Sequence, residues 1–212
     1  MRVALFIDGF NLYHSLVETE RQHCDLKVKW LDPLKLARNC LPSLGPDARL
    51  ASIDWFSAIP EHLQARDPAK LQRHRLYLRA LESLGAPGVK IHLGKIRRDP
   101  TSPTSRPTWS EKGTDVALAC RVLELGVRDA FDEALIVSGD TDYLPLPTAL
   151  ARLCPDKRVR FALPFRRSPT ALLKACPGSF ILSPALYTSS QLDNPIVLDS
   201  GRLMHAPEEW MR

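Results

Sequence analysis

The chain has 212 residues, of which 44% are hydrophobic and 25% charged, so its length and composition suit one soluble globular domain rather than a low-complexity chain. Lysine and arginine exceed aspartate and glutamate by 29 to 24, a net charge of +5. Such a mild excess is compatible with a polyanionic partner without establishing one.

Targeting and membrane segments are not expected. The N-terminal stretch MRVALFIDGFN meets an acidic residue at position 8, too early for a signal peptide, and no apolar run approaches the length of a membrane span. The five cysteines form no C-x-x-C pair and no metal-like spacing with the six histidines. We therefore expect a cytoplasmic protein with no membrane partner.

Short apolar runs alternate with helical patterns along the chain. Strands are predicted at residues 3–7, 52–58, 89–93, 135–137 and 158–162, with a shorter sixth at 179–182. Helices are predicted at residues 68–84, 114–127, 143–153 and 170–174. This alternation predicts an α/β fold in which helices flank a mostly parallel central sheet of about five strands. Functional groups in such sheets lie at the carboxyl ends of strands.

Two segments fall outside this pattern. Residues 97–112, RRDPTSPTSRPTWSEK, are rich in Pro, Ser and Thr and are predicted to form an exposed loop. The last stretch, from 187 onward, is polar with isolated apolar residues. We expect one domain over residues 1–185 and an appendage over 186–212 that packs on the domain or extends from it.

Carboxylates stand where the predicted strands end. Asp140 and Asp142 follow the buried run in ALIVSGDTDYLPL, and in an extended turn they would point to the same side. Asp8 ends the first strand in VALFIDGFNLYH, and Asp115 lies in the first helical turn of EKGTDVALAC. Hard divalent cations such as Mg²⁺ prefer oxygen ligands, so four converging carboxylates would suit one.

Each acid also has a purely structural interpretation. Asp115 near a helix start would be favoured by the helix dipole. Asp140 would cap the following helix, with Gly139 adopting an unusual backbone angle. For any single residue the two interpretations stay open, but all four acids together in an α/β alternation favour a functional site.

Three segments carry a family resemblance. FIDGFNLYH, EKGTDVALA and VSGDTDYLPL resemble, in order and spacing, the three signature blocks of the NYN family, PIN-like nucleases related to bacterial LabA-like proteins. The resemblance spans roughly residues 2–182 and implies a PIN-like three-layer fold. It also implies Mg²⁺- or Mn²⁺-dependent cleavage of RNA. We expect an endonuclease, and exonuclease action stays open. The metal-binding acids of the family match Asp8, Asp115, Asp140 and Asp142, with Asn11 as a further candidate catalytic residue.

Neighbouring polar residues are candidates for supporting roles. Ser138 and Thr141 are expected to donate hydrogen bonds to the carboxylates. Basic and aromatic side chains would contact the nucleic-acid backbone or stack on a base. These candidates are Lys112, Arg97, Arg98, Arg106, Trp109, Arg166 and Arg167. For the basic residues, a solvated surface is the alternative. RNA is the expected partner, single-stranded DNA stays an open alternative, and a homodimer is also left open.

Two other functions remain as alternatives. A HAD-like phosphatase also places aspartates at strand ends, but it needs a second Asp where this chain has Phe10 and favours another where it has Leu144. A catalytically weak RNA-binding or scaffold protein would keep the fold and lose one or more acids. The intact set of four argues against that alternative.

Overall fold

The computed structural model describes residues 1–99 and 108–211. Seven strands form one sheet within these residues, in the order β4-β3-β2-β1-β5-β6-β7. Every neighbouring pair is parallel except β3 and β4. The strands are β1 (Arg2–Asp8), β2 (Arg49–Ala58), β3 (Lys90–Asp99), β4 (Thr108–Lys112), β5 (Glu133–Val137), β6 (Arg158–Leu163) and β7 (Phe180–Ile181).

Helices cover both faces of this sheet. They are α1 (Gly9–Gln22), α2 (Pro33–Cys40), α3 (Pro68–Glu82), α4 (Thr114–Val127), α5 (Pro145–Leu153), α6 (Thr170–Ala175) and α7 (Pro184–Thr188). Along β1, the side chains of Val3, Leu5 and Ile7 enter one hydrophobic cluster, whereas Ala4 and Phe6 enter another. Alternation of this kind is what a strand buried on both faces produces. The predicted α/β architecture of three layers is therefore confirmed. None of the helices in the described ranges is long and apolar enough to cross a membrane.

The sheet is larger than predicted, with seven strands rather than about five. The prediction of one exposed loop over 97–112 is wrong at both ends, because β3 runs on to Asp99 and β4 begins at Thr108. The two strands pair antiparallel, with Arg98 opposite Trp109. Backbone hydrogen bonds at the sheet edge keep these polar residues in strands, so the strands form without an apolar pattern in the sequence. Residues 100–107 of the predicted loop lie outside the described residues.

The switch point of the sheet lies at β1. Strands β2 and β3 follow on one side of β1, whereas β5, β6 and β7 follow on the other. Open α/β sheets bind their ligands at the carboxyl ends of strands at such a point. Ile7 of β1 is in register with Val137 of β5, so Asp8 and Ser138 emerge side by side.

The C-terminal segment covers one edge of the hydrophobic core. After a small hairpin of β8 (Ile196–Val197) and β9 (Leu203–Met204), the chain brings Trp210 into the core. Its ring centroid lies 6.1 Å from that of Trp30 and 5.7 Å from that of Tyr77. The boundary at residue 185 remains a prediction, and we propose that the segment 186–212 adds stability to the domain before it.

Replacing Trp210 with Ala should lower the free energy of unfolding by about 3–5 kcal/mol, because a buried aromatic side chain is lost and a cavity remains. Urea denaturation followed by far-UV circular dichroism measures this change. Met211→Ala is the matched control, since Met211 is half-exposed and should change stability little. Equal stability of the two variants would show that the segment contributes nothing to the core.

Candidate active site

Asp8 ends β1 and begins α1, and its carboxylate bonds to two other parts of the chain. Its Oδ1 accepts a hydrogen bond from the backbone N–H of Asn11 at 2.9 Å, so Asp8 caps α1. Its Oδ2 accepts from the hydroxyl of Ser138 at 3.0 Å. Glycine follows because a Cβ on Gly9 would lie 2.7 Å from the carbonyl oxygen of Phe56. The side chain of Asp8 is only 7% exposed.

The turn after β5 is bonded to the same helix. The hydroxyl of Ser138 accepts a hydrogen bond from the backbone N–H of Asp140 at 3.1 Å, so one hydroxyl connects Asp8 with the Asp140 turn. The side-chain oxygen of Asn11 accepts from the backbone N–H of Gly139 at 3.1 Å. The amide nitrogen of Asn11 has no partner in the part of the chain that the structure describes.

Gly139 is needed for a close approach rather than for an unusual backbone angle. A Cβ at this position would lie 2.1 Å from the carbonyl oxygen of Arg167, and its φ is not in the left-handed region. The interpretation that Gly139 supplies an unusual angle is therefore wrong. The contact places the backbone of Arg167 directly against the turn that carries Asp140.

Asp140 and Asp142 are arranged by a short 3-10 helix, Thr141–Tyr143. Asp140 caps this helix, because its Oδ1 accepts from the backbone N–H of Asp142 at 2.9 Å. The expected extended turn is thus replaced by a helical one. Thr141 and Asp142 are exposed. No hydrogen bond joins the Thr141 side chain to a carboxylate among the described residues.

Asp115 joins the group through a residue that sequence reasoning did not select. The hydroxyl of buried Tyr143 donates a hydrogen bond to Asp115 Oδ1 at 3.0 Å. The pKa of Tyr143 is raised, mainly by burial and then by the negative charges of Asp8 and Asp115. Tyr143 lies within the VSGDTDYLPL block, so its position in that signature block could have identified it as a site residue.

The electrostatics of the site are unbalanced. The pKa of Asp8 is raised to about 6, mainly by burial and also by the charges of Asp115 and Asp140, against the opposing effect of its two hydrogen bonds. In the described part of the chain, no Lys or Arg forms an ion pair with Asp8, Asp115, Asp140 or Asp142. By contrast, buried Asp54 bonds to Arg121 at 3.0 Å and to His92 at 2.7 Å. Asp8 is therefore a buried acid beside like charges.

This donor set fits a hard divalent cation in its chemistry. The ligands are carboxylate oxygens, and a carboxylate that accepts one hydrogen bond per oxygen keeps further lone pairs for a metal. The set does not form a closed site: over residues 1–99 and 108–211, no three acidic, histidine or cysteine side chains are arranged to hold an ion. The exposed position of Asp142 fits this open arrangement.

Of the basic candidates, Arg167 contacts the turn that carries Asp140 through its backbone, and Arg166 directly precedes it. Both line a cavity of about 410 Å³ next to α1, together with His14, Arg21 and Phe165. Arg166 has a φ of 60°, which turns the chain sharply at this point. Lys112 is exposed at the end of β4, two residues before α4 begins.

The remaining candidates are on the hairpin of β3 and β4. Trp109 is exposed to 39% and stacks on His62, with ring centroids 4.8 Å apart and planes 8° from parallel. The backbone of Arg97 and Arg98 belongs to β3, but their side chains, like the whole of Arg106, lie outside what the structure describes.

The charge imbalance predicts opposite effects of two isosteric changes in EDTA. Above pH 6, Asp8→Asn should raise the free energy of unfolding by about 1–3 kcal/mol, because a pKa of about 6 against an ordinary 3.8 makes the charged form costly. Asp54→Asn should lower it by about 2–4 kcal/mol, because Arg121 and His92 lose their partner.

The pH dependence gives the sign of the first effect. Between pH 3.8 and 6 the folded state binds more protons at Asp8 than the unfolded state, so its stability falls as pH rises through that window. Below pH 3.8 the carboxyl is neutral in both states, and the gain from Asp8→Asn should vanish. Denaturant titrations at pH 3.5 and 7.5 test this, and a destabilised Asp8→Asn at pH 7.5 would contradict it.

Comparisons with known proteins agree with this architecture. The crystal structure of a protein of unknown function from Vibrio parahaemolyticus shares the fold with a TM-score of 0.55 and 18% identity. The match covers 90% of this chain and 96% of that chain. No curated protein matches the sequence. The NYN domain matches residues 2–184, a range that contains all four acids. The chain therefore belongs to the NYN domain family, within the PIN-like nuclease superfamily.

Proposed function

We propose that this protein is a divalent-metal-dependent ribonuclease that hydrolyses RNA phosphodiester bonds at the acid cluster, with endonucleolytic cleavage the expected mode. One observation carries the proposal: a buried carboxylate at the switch point has two like charges beside it, and no lysine or arginine of the described residues pairs with it. Unbalanced charge of this kind in a cleft is typical of functional sites. Membership of a nuclease superfamily supports the same conclusion.

Asp8, Asp115 and Asp140 would hold Mg²⁺ or Mn²⁺, and Asp142 would approach from the exposed side of the turn. A bound divalent ion supplies an activated water and stabilises the charge that develops on the phosphodiester. The open arrangement of the acids suits substrate-assisted binding, because Mg²⁺ in phosphoryl-transfer sites takes a few carboxylates together with substrate phosphates.

The chain's other residues orient these carboxylates. Ser138 donates to Asp8 and accepts from the Asp140 turn, which fixes both acids relative to each other. Tyr143 fixes Asp115 from inside the protein. Asn11 uses its oxygen to hold Gly139, so its amide N–H groups can donate to a phosphate oxygen without adding negative charge.

Basic residues beside the acids would attract the polyanion. Arg166 and Arg167 are joined to the site by the contact between Arg167 and Gly139. Together with Lys112 at the end of β4, they would contact phosphates on either side of the scissile bond. RNA in the cytoplasm is the expected substrate, and single-stranded DNA is the competing polyanion to test.

A catalytically weak RNA-binding protein is the second candidate, favoured by the absence of a closed three-ligand group among the described residues. Isothermal titration with Mn²⁺ separates the two. Binding that disappears in Asp8→Ala supports the nuclease, whereas no binding in the presence of RNA supports the scaffold. Release of phosphate from a chromogenic monoester would instead support a phosphatase.

Asp140→Asn should reduce Mn²⁺-dependent RNA cleavage at least about 100-fold while leaving the fold intact, because asparagine keeps the helix cap but loses the charge. Cleavage of a mixed RNA pool is followed on gels with Mn²⁺, Mg²⁺ or EDTA. Asp156→Asn is the control, since Asp156 is an exposed acid paired with Lys157 at the opposite end of α5. Full activity of Asp140→Asn would remove Asp140 from the site.

Tyr143→Phe should lower cleavage about 10–100-fold, because Asp115 loses the donor that orients it. The ring still packs in the core, so stability should change little. The concentration of Mn²⁺ that gives half-maximal cleavage should rise, which a purely structural residue would not produce. Unchanged metal dependence would show that Tyr143 does not position Asp115.

A further inference from the structure

A cavity that begins directly after Asp8 does not contain the four acids. It has a volume of about 670 Å³ and lies between the start of α1, the end of β2, and α3. Gly9 and Phe10 form part of its wall, so the two residues that directly follow Asp8 separate it from the acid cluster. The volume is within the range of ligand sites, roughly 300–1,000 Å³. We call it the α1–α3 cavity.

Aromatic rings form much of this cavity. Trp109 and His62 stack on each other in its wall, and Phe10, Tyr13 and Trp55 also face it. Trp109 is 39% exposed although its ring is large and apolar. Flat rings that remain accessible in a groove are the usual platforms on which bases of a single strand stack.

Three buried polar atoms of the cavity wall lack partners within the described residues. They are Trp55 Nε1, His62 Nδ1 and His74 Nε2. Trp55 is only 4% exposed, and its Nε1 lies near Gly9, where an added Cβ would be 2.8 Å away. A buried donor without a partner costs about 1–3 kcal/mol, so each such group needs an explanation.

These atoms offer both hydrogen-bonding roles. Trp55 Nε1 can only donate. The backbone of Ala58 favours a proton on His74, and the nitrogen of a neutral imidazole that carries no proton is an acceptor. The pKa of His74 is lowered, first by burial and then by Lys70, so the ring is neutral near pH 7. The Watson–Crick edge of every base carries a donor beside an acceptor, so this pair complements an unpaired base of any identity.

Lys29, Lys70 and Arg73 line the cavity, and two of these cations are paired with acids. Arg73 is held by Glu209 at 3.0 Å, and Lys29 by Glu20 at 2.5 Å. Lys70 also lines the cavity and has no ion-pair partner in the ranges that the structure describes. An unpaired ammonium at the mouth of an aromatic cavity is suited to a phosphate attached to the bound base.

We propose that the α1–α3 cavity is a base-binding subsite, which holds one unpaired nucleobase of the nucleic acid whose backbone meets the acid cluster. Trp109, whose other face packs on His62, stacks on the base, Trp55 Nε1 and His74 Nε2 bond to its edge, and Lys70 contacts its phosphate. This inference rests on the proposed function for the nature of the ligand. It goes beyond that function by naming residues that would select an unpaired strand. A base in a duplex cannot bind them, because its Watson–Crick edge is hydrogen-bonded to the partner base.

The test is a binding experiment in EDTA, where no cleavage occurs. A fluorescent RNA hexamer and its versions with one abasic position each are titrated with wild-type protein and with Trp109→Ala, and anisotropy is recorded. One abasic position should weaken binding to wild type roughly 5- to 150-fold. The same position should make little difference to Trp109→Ala, because the ring that contacts the base is already gone.

Matched variants test the individual contacts. Trp109→Phe should restore most of the affinity, and His74→Ala should reduce it. Lys70→Ala should weaken binding of the hexamer, whereas Lys174→Ala, at an exposed lysine on α6, should not. Leu153→Ala serves as the control for loss of an exposed apolar side chain. A blunt-ended RNA duplex, which has no unpaired bases, should bind with equal affinity to wild type and Trp109→Ala.

The outcomes separate this subsite from the proposed nuclease. Abasic positions that affect wild type and Trp109→Ala equally would overturn the subsite, whether or not Mn²⁺ supports cleavage. An abasic position that weakens binding to wild type but not to Trp109→Ala would support the subsite. If no RNA is cleaved in the same preparation with Mn²⁺, the nuclease would be overturned. Adenosine monophosphate that binds as tightly as the hexamer would also overturn the proposal, because the cavity would then serve a free nucleotide.

Discussion

The buried carboxylate of Asp8 is the constraint around which the site is organised. Four acids are buried within the described ranges, and three have a local explanation. Asp32 caps α2 through two backbone N–H groups, Asp54 bonds to a guanidinium and an imidazole, and Glu133 contacts an arginine. Asp8 also caps a helix, but its charged neighbours are acids. Burial also raises the pKa of Asp32 and Glu133, but a nearby positive charge lowers it at both, whereas the charges beside Asp8 raise its pKa.

The residues around Asp8 explain why such an arrangement persists. Ser138 and Asn11 bond the end of β1 to the turn after β5, and Tyr143 bonds that turn to the start of α4. Gly139 allows the backbone of Arg167 to approach without a clash. Hydrogen bonds from uncharged donors thus hold the acids near one another. Because these donors carry no net charge, they leave the negative potential that attracts a cation.

The sequence predicted the features that depend on a local residue pattern. It did not predict features that form only when segments distant in sequence come together. Strand periodicity located β1, β2, β5 and β6, and the rule for parallel sheets placed Asp8 and Asp140 at one edge. The pairing of β3 with β4 was missed because it depends on backbone bonds between polar segments. The α1–α3 cavity was missed as well, since Trp55, His62 and Trp109 come from separate elements with no shared spacing.

A helix cap and a functional acid can be the same residue, so these interpretations of Asp8 and Asp140 do not compete. Asparagine or serine would cap equally well, and a cap needs no further negative charge beside it. The surplus charge of Asp115 and Asp140 is therefore what distinguishes this edge from an ordinary strand-to-helix turn. On the other side of the first turn of α1 the surface is aromatic and basic. One helical turn thus separates a place suited to a cation from a place suited to a base and its phosphate, the two requirements for positioning a nucleotide.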